Sequence, residues 1–193
     1  LEQIGVVNSK GNDNDMKITN VFDAVLKGTF EDFKSFYNGE VNQINPHSKL
    51  NLLSTAMLNY EKPNDKLEII QYLLENSVDI SFTDSLYKRN ALHTFFFNVM
   101  KGPQEYMEQV VRLLVENGVE VNGLDKFNSI PLKYAITVNK NTTEDMKGIY
   151  SYLVEKGSDV NIKDTFNKSI VDYAKEFPWR NEFLEIVKEY EHG

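Results

Sequence analysis

His47, His93 and His192 are the only imidazoles of this 193-residue chain, and cysteine is absent. Without thiols there is no disulfide, no thiolate zinc site and no thiol nucleophile, and none of the histidines has a second one at helical ligand spacing. Asp13-Asn14-Asp15 has the start of a calcium loop, but Lys17 stands at the next ligand position and Ile18 where that loop requires glycine. There is no glycine-rich phosphate loop and no glycine-flanked nucleophilic serine, and the 29 acidic residues are too scattered for a catalytic pair to stand out. Asn141-Thr142-Thr143 and Asn167-Lys168-Ser169 have glycosylation spacing, which chance explains. The expectation is a chain with no catalytic residue, no metal site and no cofactor.

Charge narrows the partners. With 21 basic residues against 29 acidic, the net charge is −8, which works against nucleic acid and anionic membranes, since both require a cationic footprint. A basic protein is the partner that this balance suggests. No apolar run is long enough to span a bilayer, and residues 1–15 lack the basic start and apolar stretch of a secretory signal. A cytoplasmic location is expected, with upstream processing left open by the start at Leu1.

The elements that position these residues repeat. Asn51-Leu52-Leu53-Ser54-Thr55-Ala56, Asn90-Ala91-Leu92-His93-Thr94-Phe95, Ile130-Pro131-Leu132-Lys133-Tyr134-Ala135 and Ser169-Ile170-Val171-Asp172-Tyr173-Ala174 superimpose, and Val21-Phe22-Asp23-Ala24 matches their second half. Taking Val21, Leu53, Leu92, Leu132 and Val171 as register, the intervals are 32, 39, 40 and 39 residues. Behind each opening comes an i, i+3, i+4 apolar triplet: Phe33/Phe36/Tyr37, Ile69/Tyr72/Leu73, Val110/Leu113/Leu114, Ile149/Tyr152/Leu153 and Phe183/Ile186/Val187. That spacing puts three apolar side chains on one helical face. Five units of two helices follow. Gly118 and Gly157 suit the left-handed residue that ends a second helix, with Ser77 as the weaker copy.

In this order the signatures resemble the ankyrin repeat, whose unit opens T-P-L-H-x-A and closes G-A-D-V-N: Ile130-Pro131-Leu132 and Asn90-Ala91-Leu92-His93 look like the opening, Gly157-Ser158-Asp159-Val160-Asn161 like the close. The resemblance covers about residues 19–190 and implies an all-α ankyrin-repeat solenoid of five helix-turn-helix units with short extended finger turns. The boundaries expected are a flexible tail over 1–16 and a repeat domain over 17–193, with units near 17–50, 51–89, 90–129, 130–168 and 169–193. The first and last units read as caps, and His93 is expected to bond neighbouring turn backbone. Three intervals exceed the family's period of about 33 residues. The surplus falls around Glu61–Asp65, Lys101–Pro103 and Lys140–Thr143, between the two helices of a unit, with Asp65 or Thr143 as possible caps. It forms either a raised lip or neutral loop growth.

The resemblance also implies where a partner binds: the fingers and the concave face. Tyr87, Phe127 and Phe166 each stand five residues before the register, close to Asp84, Asp125 and Asp164. Tyr134 and Tyr173 are expected to look into the concavity, with Asp172 beside them. The aromatics act either as anchors or as packing between fingers. Asn128 and Asn167 tolerate a left-handed turn. The functional expectation is a non-enzymatic, monomeric module that binds another protein through these residues, in its concrete form an inhibitor or immunity protein sequestering a basic toxin. The alternative is a substrate-positioning arm of a larger enzyme.

Overall fold

Short side chains that accept backbone N–H bonds start most of the helices, and their placement fixes the repeat. In the computed structural model, which describes residues 17–98 and 102–191, Asn20 caps α1 (Val21–Lys27), Thr29 forms a capping box with Asp32 on α2 (Phe30–Phe36), and Asn51 caps α3 (Leu52–Ala56). Asn90 and His93 form a box on α5 (Ala91–Phe97), Thr142 caps α8 (Thr143–Glu155), and Ser169 with Asp172 boxes α9 (Ile170–Glu176). Each cap satisfies an otherwise unpaired N–H of the first turn. The other helices use proline, whose missing N–H is no loss at a helix start. Pro63 opens α4 (Pro63–Glu75), Pro103 precedes α6 (Gln104–Glu116) and Pro131 opens α7 (Pro131–Thr137). A short 3₁₀ turn, Pro178–Arg180, leads into α10 (Asn181–Glu191).

The helices make two layers. The first helices pack in series, α1 on α3, α3 on α5, α5 on α7 and α7 on α9, and the second helices do the same from α2 through α4, α6 and α8 to α10. This is the solenoid expected from the sequence, in which each unit buries its apolar face against its neighbours. The register residues Leu53, Leu92 and Leu132 are fully or almost fully buried, and three positions later Ala24, Ala56, Ala135 and Ala174 are completely so. These alanines let successive helices approach closely; Phe95 is the bulky exception and is only partly covered. Among the described residues there is no strand, only an isolated bridge between Ile44 and Asn51.

Turn chemistry follows the sequence closely at the second-helix ends. Gly118 (φ +99°), Gly157 (φ +88°) and Ser77 (φ 63°) are all left-handed. The next N–H in each case returns to a carbonyl of the last turn: Val119 to Leu114, Ser158 to Leu153 and Val78 to Leu73. Gly28 is required for a different reason. It joins α1 to α2 in a two-residue link so tight that a Cβ would lie 2.7 Å from the Ala24 carbonyl.

Two expected caps are displaced. Lys62, not Asp65, precedes α4, and the Asp65 carboxylate instead accepts the Phe30 N–H of α2 at 2.8 Å, capping the helix of the preceding unit. Thr142 takes the capping role that Thr143 could have had; Thr143 lies inside α8 and donates to the Trp179 carbonyl. The flexible tail expected over 1–16 lies outside the described residues, as do His192 and Lys101.

Three buried side chains tie one unit to the next. Lys66 donates to the Val25 and Leu26 carbonyls at the end of α1, and burial pulls its ammonium down to about 8. Arg180, 1% exposed, donates to the Ile136, Asn139 and Asn141 carbonyls. His93 joins α5 to the next finger: its Nε2 lies 2.8 Å from the Ser129 carbonyl, while its Nδ1 sits in the capping box, 3.2 Å from the Asn90 backbone nitrogen and 2.8 Å from Asn90 Oδ1.

Two outcomes are expected of this packing. Leu92→Ala and Leu132→Ala each remove a fully buried side chain and should cost on the order of 2 to 5 kcal/mol in urea unfolding; wild-type stability in either would place the register elsewhere. The second concerns His93, whose burial holds its pKa down to about 4 against the pull of the Ser129 carbonyl and the Asp125 carboxylate. The unfolded imidazole protonates near pH 6.5 and the folded one only near 4, so stability should fall as pH drops through that window. The loss is on the order of 3 kcal/mol and complete below it. Unfolding free energies at pH 7 and pH 4.5 should therefore differ much more in the native chain than in His93→Gln; equal slopes would mean that the imidazole is not held neutral.

Candidate functional site

The four turns between units are built on one side chain each. Asp84 Oδ1 accepts the Leu86 and Tyr87 N–H groups at 2.8 and 2.7 Å, and its Oδ2 accepts that of Arg89 at 2.9 Å. Asp125 accepts from Phe127 and Ser129 at 2.8 and 3.0 Å, Asp164 from Phe166 and Lys168 at 2.9 and 3.2 Å. Asn45 does the same in the first turn, for His47 and Ser48. These are Asx turns, closed by a left-handed residue at Lys49, Lys88, Asn128 and Asn167. Neighbouring fingers are stitched by backbone bonds, Lys126 N–H to the Tyr87 carbonyl at 2.8 Å and Thr165 N–H to the Phe127 carbonyl at 3.0 Å.

The finger aspartates were expected to offer charge to a partner, and here the structure differs. Asp84, Asp125 and Asp164 are 4%, 3% and 7% exposed, turned inward under the loops they hold. The remaining capacity of Asp125 and Asp164 goes to the tyrosines and cations of the concave face. The Tyr134 hydroxyl donates to Asp125 Oδ2 at 2.5 Å and the Tyr173 hydroxyl to Asp164 Oδ2 at 2.6 Å. Arg89 and Lys133 pair with the same two carboxylates at 3.5 and 3.6 Å. Burial pushes the Asp164 pKa up, but the bonds from Tyr173 and the backbone outweigh it and leave the group below its ordinary value. Burial and the Asp125 bond raise the Tyr134 phenol. Tyr134 is thus a buried post of the wall, Tyr173 is half-buried, and Asp172 caps α9 from within its box with Ser169.

The three finger aromatics do face outward, to different degrees. Tyr87, 44% exposed, stacks on Phe127 with centroids 6.4 Å apart, so packing between fingers and exposure to solvent coexist there; Phe166 is 73% exposed. Around them run two hollows. One, of about 440 Å³, is lined by Leu50, Leu58, Leu86 and Thr94; the other, of about 390 Å³, by Phe127, Phe166, Tyr134 and Lys133. Tyr87, Arg89 and Phe97 form the wall common to both.

Leu58, Leu86, Phe97 and Arg89 were missed in the sequence. Leu58 and Phe97 stand five residues past the register positions Leu53 and Leu92, and their large residual exposure is what sets them apart from core. At the same position Thr137 and Glu176 are polar, so the apolar stripe on the first helices ends after the third unit. The Arg89 guanidinium lies 3.9 Å from the Phe97 ring centroid and 4.9 Å from those of Tyr87 and Tyr134. Lys133 lies 4.8 Å from the Tyr134 ring and 5.3 Å from that of Tyr173.

Charge is divided between the two faces. The five second helices hold fifteen acidic and five basic residues, a net of −10 against −8 for the whole chain. The finger turns carry Lys49, Lys88, Arg89, Lys126 and Lys168, and their three aspartates are the buried ones. Among the described residues no group of three or more His, Cys, Asp or Glu could hold a metal ion, and no helix is long and apolar enough to cross a membrane.

No curated protein is similar enough in sequence to match the chain. The family model described as ankyrin repeats, three copies, matches residues 60–164, a span from the loop before α4 to the aspartate of the last finger and more than half of the chain. Ankyrin repeats generally mediate protein–protein interaction and are generally not catalytic. With paired helices, Asx-built fingers and the left-handed helix stops agreeing with that match, the chain belongs to the ankyrin-repeat family.

Proposed function

We propose that this chain is a docking module that holds one partner protein in the groove between its fingers and first helices. The observation that carries this reading is the exposure of large apolar side chains along one face: Leu58 38%, Leu86 51%, Tyr87 44%, Phe97 45% and Phe166 73%. Single exposed apolar residues need no explanation, but a contiguous set lining two joined hollows is how a soluble chain presents a binding surface. The last three fingers are each held by a buried carboxylate, and rigidity before binding reduces the ordering cost of association.

In its concrete form the module is a monomeric inhibitor that sequesters its partner, as an immunity protein does a toxin. A basic partner was the expectation from net charge together with the acids near the fingers. With Arg89 and Lys133 over the aromatic rings of the groove, a basic surface of the partner would instead face the acidic second helices. The groove is therefore the apolar docking face, and the outer helices supply long-range attraction that salt screens.

The test is capture of the partner followed by alanine replacement. Phe166→Ala and Phe97→Ala should weaken binding at least about tenfold, the range of an interface hot spot, while Phe166→Ala leaves unfolding within about 0.5 kcal/mol because the ring is exposed. Glu105→Ala and Glu144→Ala, on the outer helices, should change affinity by no more than about twofold. The opposite pattern would move the docking face to the outer helices.

A further inference from the structure

We infer that the groove takes an extended partner segment in which a carboxylate stands between two apolar side chains, the carboxylate meeting Arg89 and the apolar groups filling the hollows on either side of it. This rests on the docking reading and adds the chemistry of the partner.

Arg89 lies in the wall shared by the two hollows. A guanidinium has five N–H donors, and the two engaged with side chains here are long: 3.5 Å to Asp125 and 3.4 Å to the Tyr134 hydroxyl. Charge-assisted bonds normally run about 2.7–2.9 Å. Asp125 gives its short bond to Tyr134, at 2.5 Å, and two more to backbone amides, so it compensates Arg89 only in part. A carboxylate arriving from the groove offers the planar two-point acceptor that the Arg89 fork fits.

The surroundings select against a cation. Aromatic ring faces attract cations, but Arg89 lies over Tyr87, Phe97 and Tyr134 and Lys133 over Tyr134 as well, so the rings nearest the shared wall already carry the protein's own charges. Among the described residues the sole acid on the walls of either hollow is Asp84, which is 4% exposed and bonded to three amides. Lys88 and Lys126 stand exposed on the finger tips beside it. An incoming lysine or arginine would find no free carboxylate and the four cations Arg89, Lys133, Lys88 and Lys126. An incoming glutamate or aspartate finds the reverse.

Geometry then suggests the spacing. In an extended segment residues two apart point to the same side, about 7 Å from one another. Apolar groups at the first and fifth positions with an acid at the third put all three on the face turned to the groove, matching the order hollow, Arg89, hollow.

A random dodecapeptide display library selected on the folded full chain, with the enriched sequences remade as fluorescent synthetic peptides, tests this. The expected result is enrichment of an acid flanked by apolar residues, with peptide Glu→Gln weakening binding about tenfold on the native chain and by less than about twofold on Arg89→Met. Because Arg89→Met could loosen the finger, its unfolding curve is compared with that of the native chain, and Lys126→Glu, a fully surface change, should independently slow association at low salt. Peptides that lose binding on Phe166→Ala but are neutral or basic, or are indifferent to Glu→Gln, overturn the acidic assignment and leave the docking groove standing. Peptides indifferent to both Phe166→Ala and Phe97→Ala, or a library that enriches nothing, overturn both.

Discussion

Burying a carboxylate costs several kcal/mol unless its oxygens are filled with hydrogen bonds, and Asp84, Asp125 and Asp164 fill theirs with the amides of the turn each one starts. Everything on the concave side depends on that arrangement. The amides fix the finger, the finger fixes where Tyr87, Phe127 and Phe166 emerge, and the spare oxygen of Asp125 and of Asp164 reaches nine residues on to seat the hydroxyls of Tyr134 and Tyr173. Those tyrosines then offer ring faces to Arg89 and Lys133. A side chain that folds its own turn thus also sets the charge and shape of the neighbouring wall.

The same economy links unit to unit. A solenoid has only nearest-neighbour contacts, so its cooperativity comes from what crosses each boundary. Apolar stacking crosses all of them, and buried polar groups reinforce particular ones: Lys66 closes the carbonyl end of α1, His93 holds the third finger by the Ser129 carbonyl, and Arg180 fastens the last unit to the loop before α8. Each replaces water at backbone carbonyls that the helix ends and loops leave without partners. Arg180 does so with no carboxylate among its bonds, three carbonyls and the Thr143 hydroxyl sharing its charge.

How much of this was legible follows from what is local. The helix pairs, the register leucines, the left-handed stops at Gly118 and Gly157 and the left-handed Asn128 and Asn167 could be read because each expresses a backbone preference of that residue or a spacing within one helix. The role of Asp65 could not, since its N–H partner lies 35 residues away on another unit. Arg180 was invisible for the same reason, because arginine is rarely fully buried and nothing adjacent marks the carbonyls it meets. The finger aspartates were noticed but assigned to the surface. The recurrent aspartate followed closely by an aromatic and then a left-handed residue was itself the signal of an Asx turn. Phe97 and Leu58 also had a signal, a shared place five past the register, but periodicity alone cannot separate a stripe that faces solvent across a groove from one that faces the next helix.

Net charge is likewise a sum that hides where the charges lie. A total of −8 describes a sphere, and an ankyrin array is a slab with two faces made by different helices. The second helices, open to water on their outer side, collect carboxylates that need no partner there. The finger acids Asp84, Asp125 and Asp164 are instead drawn under the turns they hold and buried there, so they cease to act as surface charge. The cations that remain, Arg89 above all, are held against aromatic faces where desolvation strengthens their field. The second helices are consequently acidic, while the walls of the two hollows carry Arg89 and Lys133 with a single, buried aspartate among the described residues, so one net charge cannot stand for both faces.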